Sequence, residues 1–368
     1  MGGRALGGAL AITTFVLASC AGNAGRPNAT TPATTDTVVQ SNLVVPWDVA
    51  VASDGRLFVS ERPGTVDVFE STAPSAKRVA TMPIAGVRAM GEAGVLGIAL
   101  DPEFSANGRL YVCASRTEQA EWRNQVLRYR VSADSLALEG IVMRMGPQAS
   151  GIHDACRLRF APDGKLWIAT GDAGMPSLAQ EVSSLNGKVL RMNPDGTVPT
   201  DNPVMKGASA PSLVYAMGFR NPGGLAFHPG TGACYVVDAG DQAQDEIDLV
   251  QPGANFGWPL VLGPGGTGRG LSDPLWSSGP TNFASAGAAF IAGDRWGTWN
   301  GALAVATLKE QSVRVFSIDG THVQLRETIL DRRYGRLRGV TLAPDGALLV
   351  TTSNGSGDRI IRITPRAL

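Results

Sequence analysis

Short runs of alternating apolar and polar residues, each broken by a turn, recur along the chain. The clearest surrounds Ala161-Pro-Asp-Gly-Lys-Leu-Trp-Ile168. Leu158 and Phe160 before the turn, and Leu166, Ile168 and Thr170 after it, keep the period of two of a strand with one buried face. Pro162-Asp163-Gly164 supplies a fixed φ, a side chain that bonds its own backbone, and a residue free to take positive φ. The pattern predicts a hairpin.

Looser forms of this unit occur at Ser53-Asp-Gly-Arg-Leu-Phe-Val59, Ala106-Asn-Gly-Arg-Leu-Tyr-Val112, Gly230-Thr-Gly-Ala-Cys-Tyr-Val236, Trp299-Asn-Gly-Ala-Leu-Ala-Val305 and Pro344-Asp-Gly-Ala-Leu-Leu-Val350. Together these make six copies, roughly 45 to 70 residues apart, a spacing that signals repeated units. Each is followed by another alternating segment, such as Thr65-Val-Asp-Val-Phe69 or Lys188-Val-Leu-Arg-Met192. Three to four strands per copy, none able to bury both faces alone, predict an all-β, six-bladed β-propeller over residues 39–368. Inserts at 172–187, 197–220 and 259–285 are expected to gather at one end of its channel and to carry function. A dinucleotide-binding fold is disfavoured. Gly263-Pro-Gly-Gly-Thr-Gly268 matches GxGxxG as a string, but no amphipathic helix opens there.

Composition supports the all-β reading, with 46 glycines, 23 prolines and only 17% charged residues. The 32 basic residues balance the 32 acidic ones, so general attraction to nucleic acid is not expected. Residues 1–20 read as a signal peptide: Arg4 precedes an apolar run that ends in Leu17-Ala18-Ser19-Cys20, a lipoprotein-type ending that would place a lipid anchor on Cys20. Residues 21–38 are rich in Ala, Thr, Asn and Pro and read as a flexible tether. An exported protein attached to the bacterial cell envelope, on its periplasmic or extracellular face, is the expectation. Cys113, Cys156 and Cys234 remain, and either one disulfide with a free thiol or three buried thiols would account for them.

Several polar residues stand at the entrances to apolar strands. His153 and Asp154 precede one, Arg220 and Asn221 another, and Arg336 and Arg338 a third, where i, i+2 spacing points both guanidinium groups the same way. Lys309 follows the apolar run 302–308. If these entrances converge, they make a pocket with one base and several fixed cations, suited to a ligand bearing several carboxylates. His228 and His322 sit in polar turns and read as surface residues.

The chain resembles the soluble quinoprotein glucose/sorbosone dehydrogenases, which include the aldose sugar dehydrogenases. The resemblance rests on Leu43-Val-Val-Pro-Trp-Asp48, Glu61-Arg-Pro-Gly64, Gly91-Glu-Ala-Gly-Val-Leu-Gly-Ile98, the His153 stretch, Gly218-Phe-Arg-Asn-Pro222, Asp245-Glu-Ile247 and Asn255-Phe-Gly-Trp-Pro259. It implies pyrroloquinoline quinone (PQQ) with Ca2+ as cofactors. It also implies oxidation of the anomeric hydroxyl of an aldose to the lactone, with hydride passing to the quinone and electrons then to a respiratory or artificial acceptor. By resemblance His153 is the general base, with Asp154 orienting it and Arg220 beside it. Arg220, Asn221, Lys309, Arg336 and Arg338 would hold the cofactor, Glu92 the substrate, and the carbonyls near Gly240 and Asp241 the calcium. The sequence departs from the family pattern at Glu92, at Ala155-Cys156, at Asp241 and at Gly339. Two other readings stand beside this one: a metal-dependent lactone hydrolase on the same scaffold, and a non-catalytic binding propeller at the cell surface.

Overall fold

The computed structural model describes residues 1–3, 31–132, 135–146 and 151–366. From Thr34 onward it is a six-bladed β-propeller. Each blade is a four-stranded antiparallel sheet. The innermost strands, Pro46–Val51, Val95–Leu100, Cys156–Phe160, Pro222–Phe227, Ser285–Phe290 and Leu337–Leu342, pack side by side in a closed ring around the axis. We number the blades 1 to 6 in that order. The sixth is completed by the N-terminal strand Thr34–Leu43, which pairs antiparallel with the last strand, Asp358–Pro365. Both ends of the chain therefore close one sheet.

Every repeated turn joins the first and second strands of a blade. Gly164 takes φ 73° there, where a Cβ would be strained, and the corresponding glycine is left-handed in all six blades. The strand Leu166–Thr170 is buried along its whole length rather than on one face. Leu166 and Ile168 pack with Tyr111 and Cys113 of blade 2, while Trp167 and Ala169 pack with Leu225 and Val236 of blade 4. A blade flanked by two others buries both faces. Each such Leu or Ile stabilises the ring by about 1.5–3 kcal/mol.

The N-terminal strand begins inside the stretch 21–38 expected to be a tether. Its alternation of Thr and Asp leaves one side exposed, so its composition resembles that of a linker although its backbone completes a sheet. Residues 4–20 of the expected signal segment, with Cys20, and residues 21–30 of the tether lie outside the described residues. No helix among the described residues is long and apolar enough to cross a membrane.

Cys113 and Cys156 form a disulfide that ties blade 2 to the inner strand of blade 3, and Cys234 is free and buried. The inserts do not all gather at one end. The segment 172–187 lies where inner strands begin, but 193–213 lies at the opposite end, where Asp201 is held through Arg191 to Asp163 of a repeated turn. Strands alternate in direction, so successive connections must alternate between the two ends.

Candidate active site

The axial channel opens, at the end where the inner strands begin, into a cavity of about 520 Å³. Its walls include Arg62, Glu92, His153, Arg220, Arg336 and Arg338, drawn from all but one of the blades. The floor is Trp47. The guanidinium groups of Arg157 and Arg338 lie 4.0 and 5.9 Å from the centre of its ring. Beneath it, Asp48 is fully buried and pairs with Arg157 at 2.6 Å and Arg159 at 2.8 Å. These ion pairs plug the channel. Burial pulls the Arg157 guanidinium down to about 9, a change that Asp48 opposes.

His153 sits just ahead of the strand Cys156–Phe160 with φ 55°, a left-handed conformation uncommon for a side-chain-bearing residue. Its Nδ1 lies 2.7 Å from Oδ1 of Asp172, which is itself wholly buried. With the carboxylate ionised, Nδ1 donates and Nε2 is left as the acceptor. Asp172 also accepts from the Gly174 N–H at 2.8 Å and from the Trp258 indole N–H at 2.8 Å. Gly171 makes this arrangement possible, because a Cβ there would come within 1.9 Å of the His153 carbonyl oxygen.

The orienting carboxylate is therefore Asp172, not Asp154 as the sequence suggested. Asp154 is buried in the cavity wall, and its carbonyl accepts from the Asn124 side-chain amide at 3.1 Å. The next strand, Leu166–Thr170, runs antiparallel to Cys156–Phe160 and so brings the chain back beside His153, where Asp172 follows it. Trp258 and Arg62 were also not singled out. Each lies in a motif that carried the family resemblance, and that was the available signal.

Arg220 and Asn221 are anchored through their backbone N–H groups, which donate to Asp238 at 2.8 and 2.7 Å. Burial raises the Asp238 carboxyl to about 6, against the pull of those two donors. The Asn221 amide reaches across to Glu92 at 3.1 Å, and its oxygen accepts from the Ala155 N–H at 3.1 Å. Arg220 lies over the Trp258 ring at 5.5 Å and pairs with Asp241 at 3.0 Å, so this departure from the family pattern offsets part of the cation's charge. Its Nε is buried without a hydrogen-bond partner among the described residues.

Arg336 is exposed at the mouth and Arg338 half-buried, held by its Nε to Ser353 at 3.0 Å. Burial lowers the Arg338 guanidinium to about 10, with Glu92 acting against it, so it stays charged at neutral pH. Gly339 beside it is a packing requirement: a Cβ would meet Thr351 Oγ1 at 2.9 Å. Lys309 is exposed outside these walls. The strand Leu303–Thr307 ends earlier than the apolar run suggested, and Leu308 takes the wall position.

The carbonyls of Gly240 and Asp241 converge on the Asn282 side-chain amide nitrogen, at 2.9 and 3.4 Å. Two carbonyls fall short of the six to eight oxygens calcium takes. No group of three or more His, Cys, Asp or Glu that could hold a metal ion occurs among the described residues.

Among the described residues, this mouth of the six-bladed ring brings one imidazole together with four guanidinium groups and the carboxylates of Glu92, Asp154 and Asp241. Residues 43–362 match the family model described as Glucose / Sorbosone dehydrogenase, and the chain belongs to that family. Among its relatives, the Aldose sugar dehydrogenase YliI of Escherichia coli (strain K12) is 30% identical over 91% of this chain and 94% of its own. Quinoprotein glucose dehydrogenase B of Acinetobacter calcoaceticus is 33% identical over 61% of this chain and 52% of its own. The PQQ-bound Aldose Sugar Dehydrogenase of Streptomyces coelicolor superposes with a TM-score of 0.78 at 29% identity, covering 91% of this chain and all of that one.

Proposed function

We propose that the protein is a PQQ-dependent dehydrogenase that oxidises the anomeric hydroxyl of aldoses to lactones. The observation that carries this reading is the Asp172–His153 couple facing a mouth ringed by Arg62, Arg220, Arg336 and Arg338. The residues fit the cofactor. A planar ligand with three carboxylates needs several fixed cations and an aromatic floor, and the unpartnered Nε of Arg220 is a donor for it. PQQ, when bound, supplies the two-electron acceptor for the hydride leaving the sugar.

The chain's own residues do the rest. His153 Nε2 takes the anomeric hydroxyl proton, and Asp172 stabilises the imidazolium that results. Arg220, Arg336 and Arg338 would hold the carboxylates of the cofactor, and their fixed positive charge would favour an electron-rich ligand at this mouth. Asn221 fixes Glu92, whose carboxylate offers acceptors to sugar hydroxyls. Calcium, if taken up at Gly240 and Asp241, would need Asn282 to turn its oxygen inward and further oxygens from outside the protein.

Purified protein is titrated with PQQ, with and without calcium, and then given aldoses and an artificial electron acceptor. Saturable quinone binding and sugar-dependent dye reduction are expected. Bound quinone with no reduction by any aldose would remove the dehydrogenase reading. Export and a lipid on Cys20 belong to the same proposal, supported by Leu17-Ala-Ser-Cys20 and by a disulfide, which persists in oxidising compartments. Labelling with radioactive palmitate, lost in Cys20→Ser, is the check.

A further inference from the structure

We infer that Trp258 is a positioning residue that sets the basicity of His153 through Asp172. Asp172 is wholly buried, and its two oxygens are engaged from opposite sides. Oδ1 takes the imidazole and the Gly174 N–H, and the donor on Oδ2 is the Trp258 indole, at 2.8 Å. A hydrogen bond to a buried carboxylate stabilises its charged form and spreads its charge. Each donor thus reduces what the carboxylate can give to the imidazolium.

Trp258 reaches this place by a long route. It sits between the third and fourth strands of blade 4, on a segment that runs back alongside blade 3, where Asn255 pairs with Met217. The Gln180 side chain clasps that segment, donating to the Asn255 side-chain oxygen at 3.0 Å and to the Trp258 carbonyl at 2.6 Å. Gln180 belongs to the insert that follows Asp172, so indole and carboxylate are held against each other by one local brace. Arg220 lies over the indole ring, at 5.5 Å, a cation that favours the ring and makes no side-chain hydrogen bond to Asp172 among the described residues.

The charged groups around the couple leave the indole as the adjustable donor. Asp154 flanks His153 in the wall, and Glu92 faces it across Asn221. Asp238 stands behind Asp172 and interacts with it electrostatically, while Arg338 lies across the mouth. Lys188, on the adjacent strand, spends its three N–H donors on the carbonyls of Leu178, Ala179 and Asn186. Removing the indole N–H makes Asp172 a stronger partner for the imidazolium, so His153 should hold its proton to higher pH. A base must be neutral to act, and the acid limb of the rate should move the same way.

The test is Trp258→Phe, which keeps an aromatic ring and removes the N–H, beside Gln180→Leu, which loosens the brace and keeps the N–H. Imidazole resonances are titrated by NMR in the full-length protein without quinone or sugar; with only three histidines, His228 and His322 serve as internal references. In Trp258→Phe the His153 midpoint should rise by about half to one pH unit, the range one charge-assisted hydrogen bond commands. The acid limb of kcat/KM should follow it, and Gln180→Leu should move the midpoint in the same direction by no more than Trp258→Phe does. An unmoved or lowered midpoint in Trp258→Phe overturns the inference. It builds on the proposed role of His153 as base, but the NMR titration does not. A shifted midpoint in a protein that oxidises no sugar would refute the dehydrogenase reading and leave the Trp258 assignment standing.

Discussion

The two ends of the axial channel are made by the same six strands, yet only one of them is built for chemistry. The inner strands begin at the cation-lined mouth and end at the other opening, a cavity of about 720 Å³ lined by side chains such as Val51, Ile98, Leu100, Phe160 and Leu342. At that second opening each inner strand turns into its neighbour through a repeated glycine turn, while longer connections such as 193–213 join strands further out in the blades. At the first the connections differ in every blade and deliver His153, Arg220, Arg336 and Asp172, with Arg338 on the strand just inside. Between the two openings, Asp48, Arg157 and Arg159 block passage, so polar groups at one end are insulated from the apolar cavity at the other. Uniform turns build the ring, and variable connections equip one mouth.

The strongest way to sharpen this contrast is His153→Ala. Turnover should fall by about a thousandfold, the range for loss of a general base, while PQQ titration shows binding largely intact. Next, the plug can be broken from within. Asp48→Ala leaves Arg157 charged, buried and unpaired, and should cost about 3–5 kcal/mol in chemical denaturation. Arg338→Ala should weaken PQQ binding about ten- to a hundredfold, the worth of a charge-assisted hydrogen bond, as read in the same titration.

A smaller effect comes from blade 1. Burial raises the Glu61 carboxyl to about 7, with the nearby Asp67 adding to the rise and the Val44 N–H opposing it. A carboxyl raised in the folded state contributes its full stability below its unfolded value, near 4.5, and loses it as pH climbs through 7. Wild-type melting temperature should therefore fall between pH 5 and 8. Glu61→Gln should flatten the fall by about 2–4 °C, the shift expected per kcal/mol. The smallest effect is expected at the second opening, where Val51→Ser should leave kcat/KM within about twofold. A larger loss there would show that the two ends are coupled.

How far the sequence reaches can be judged residue by residue. The Gly164 turn and its five counterparts were legible because positive φ and period-two alternation are local properties. His153, Arg220 and the Arg336/Arg338 pair were legible as polar residues at strand entrances. The N-terminal strand was not, since a half-exposed Thr-rich strand has the composition of a tether, and its partner is the far end of the chain.

The sequence by itself determined the number of repeats, the strand-turn-strand unit and the pool of chemical groups, because each depends on neighbours a few residues away. Only the tertiary structure decided which carboxylate serves His153. Asp154 is adjacent along the chain, but Asp172 comes from the next strand past a glycine at the point of contact, and the indole on its far oxygen comes from blade 4. Hydrogen bonds depend on distance and direction in space. A pattern written along one dimension fixes neither until the blades have closed.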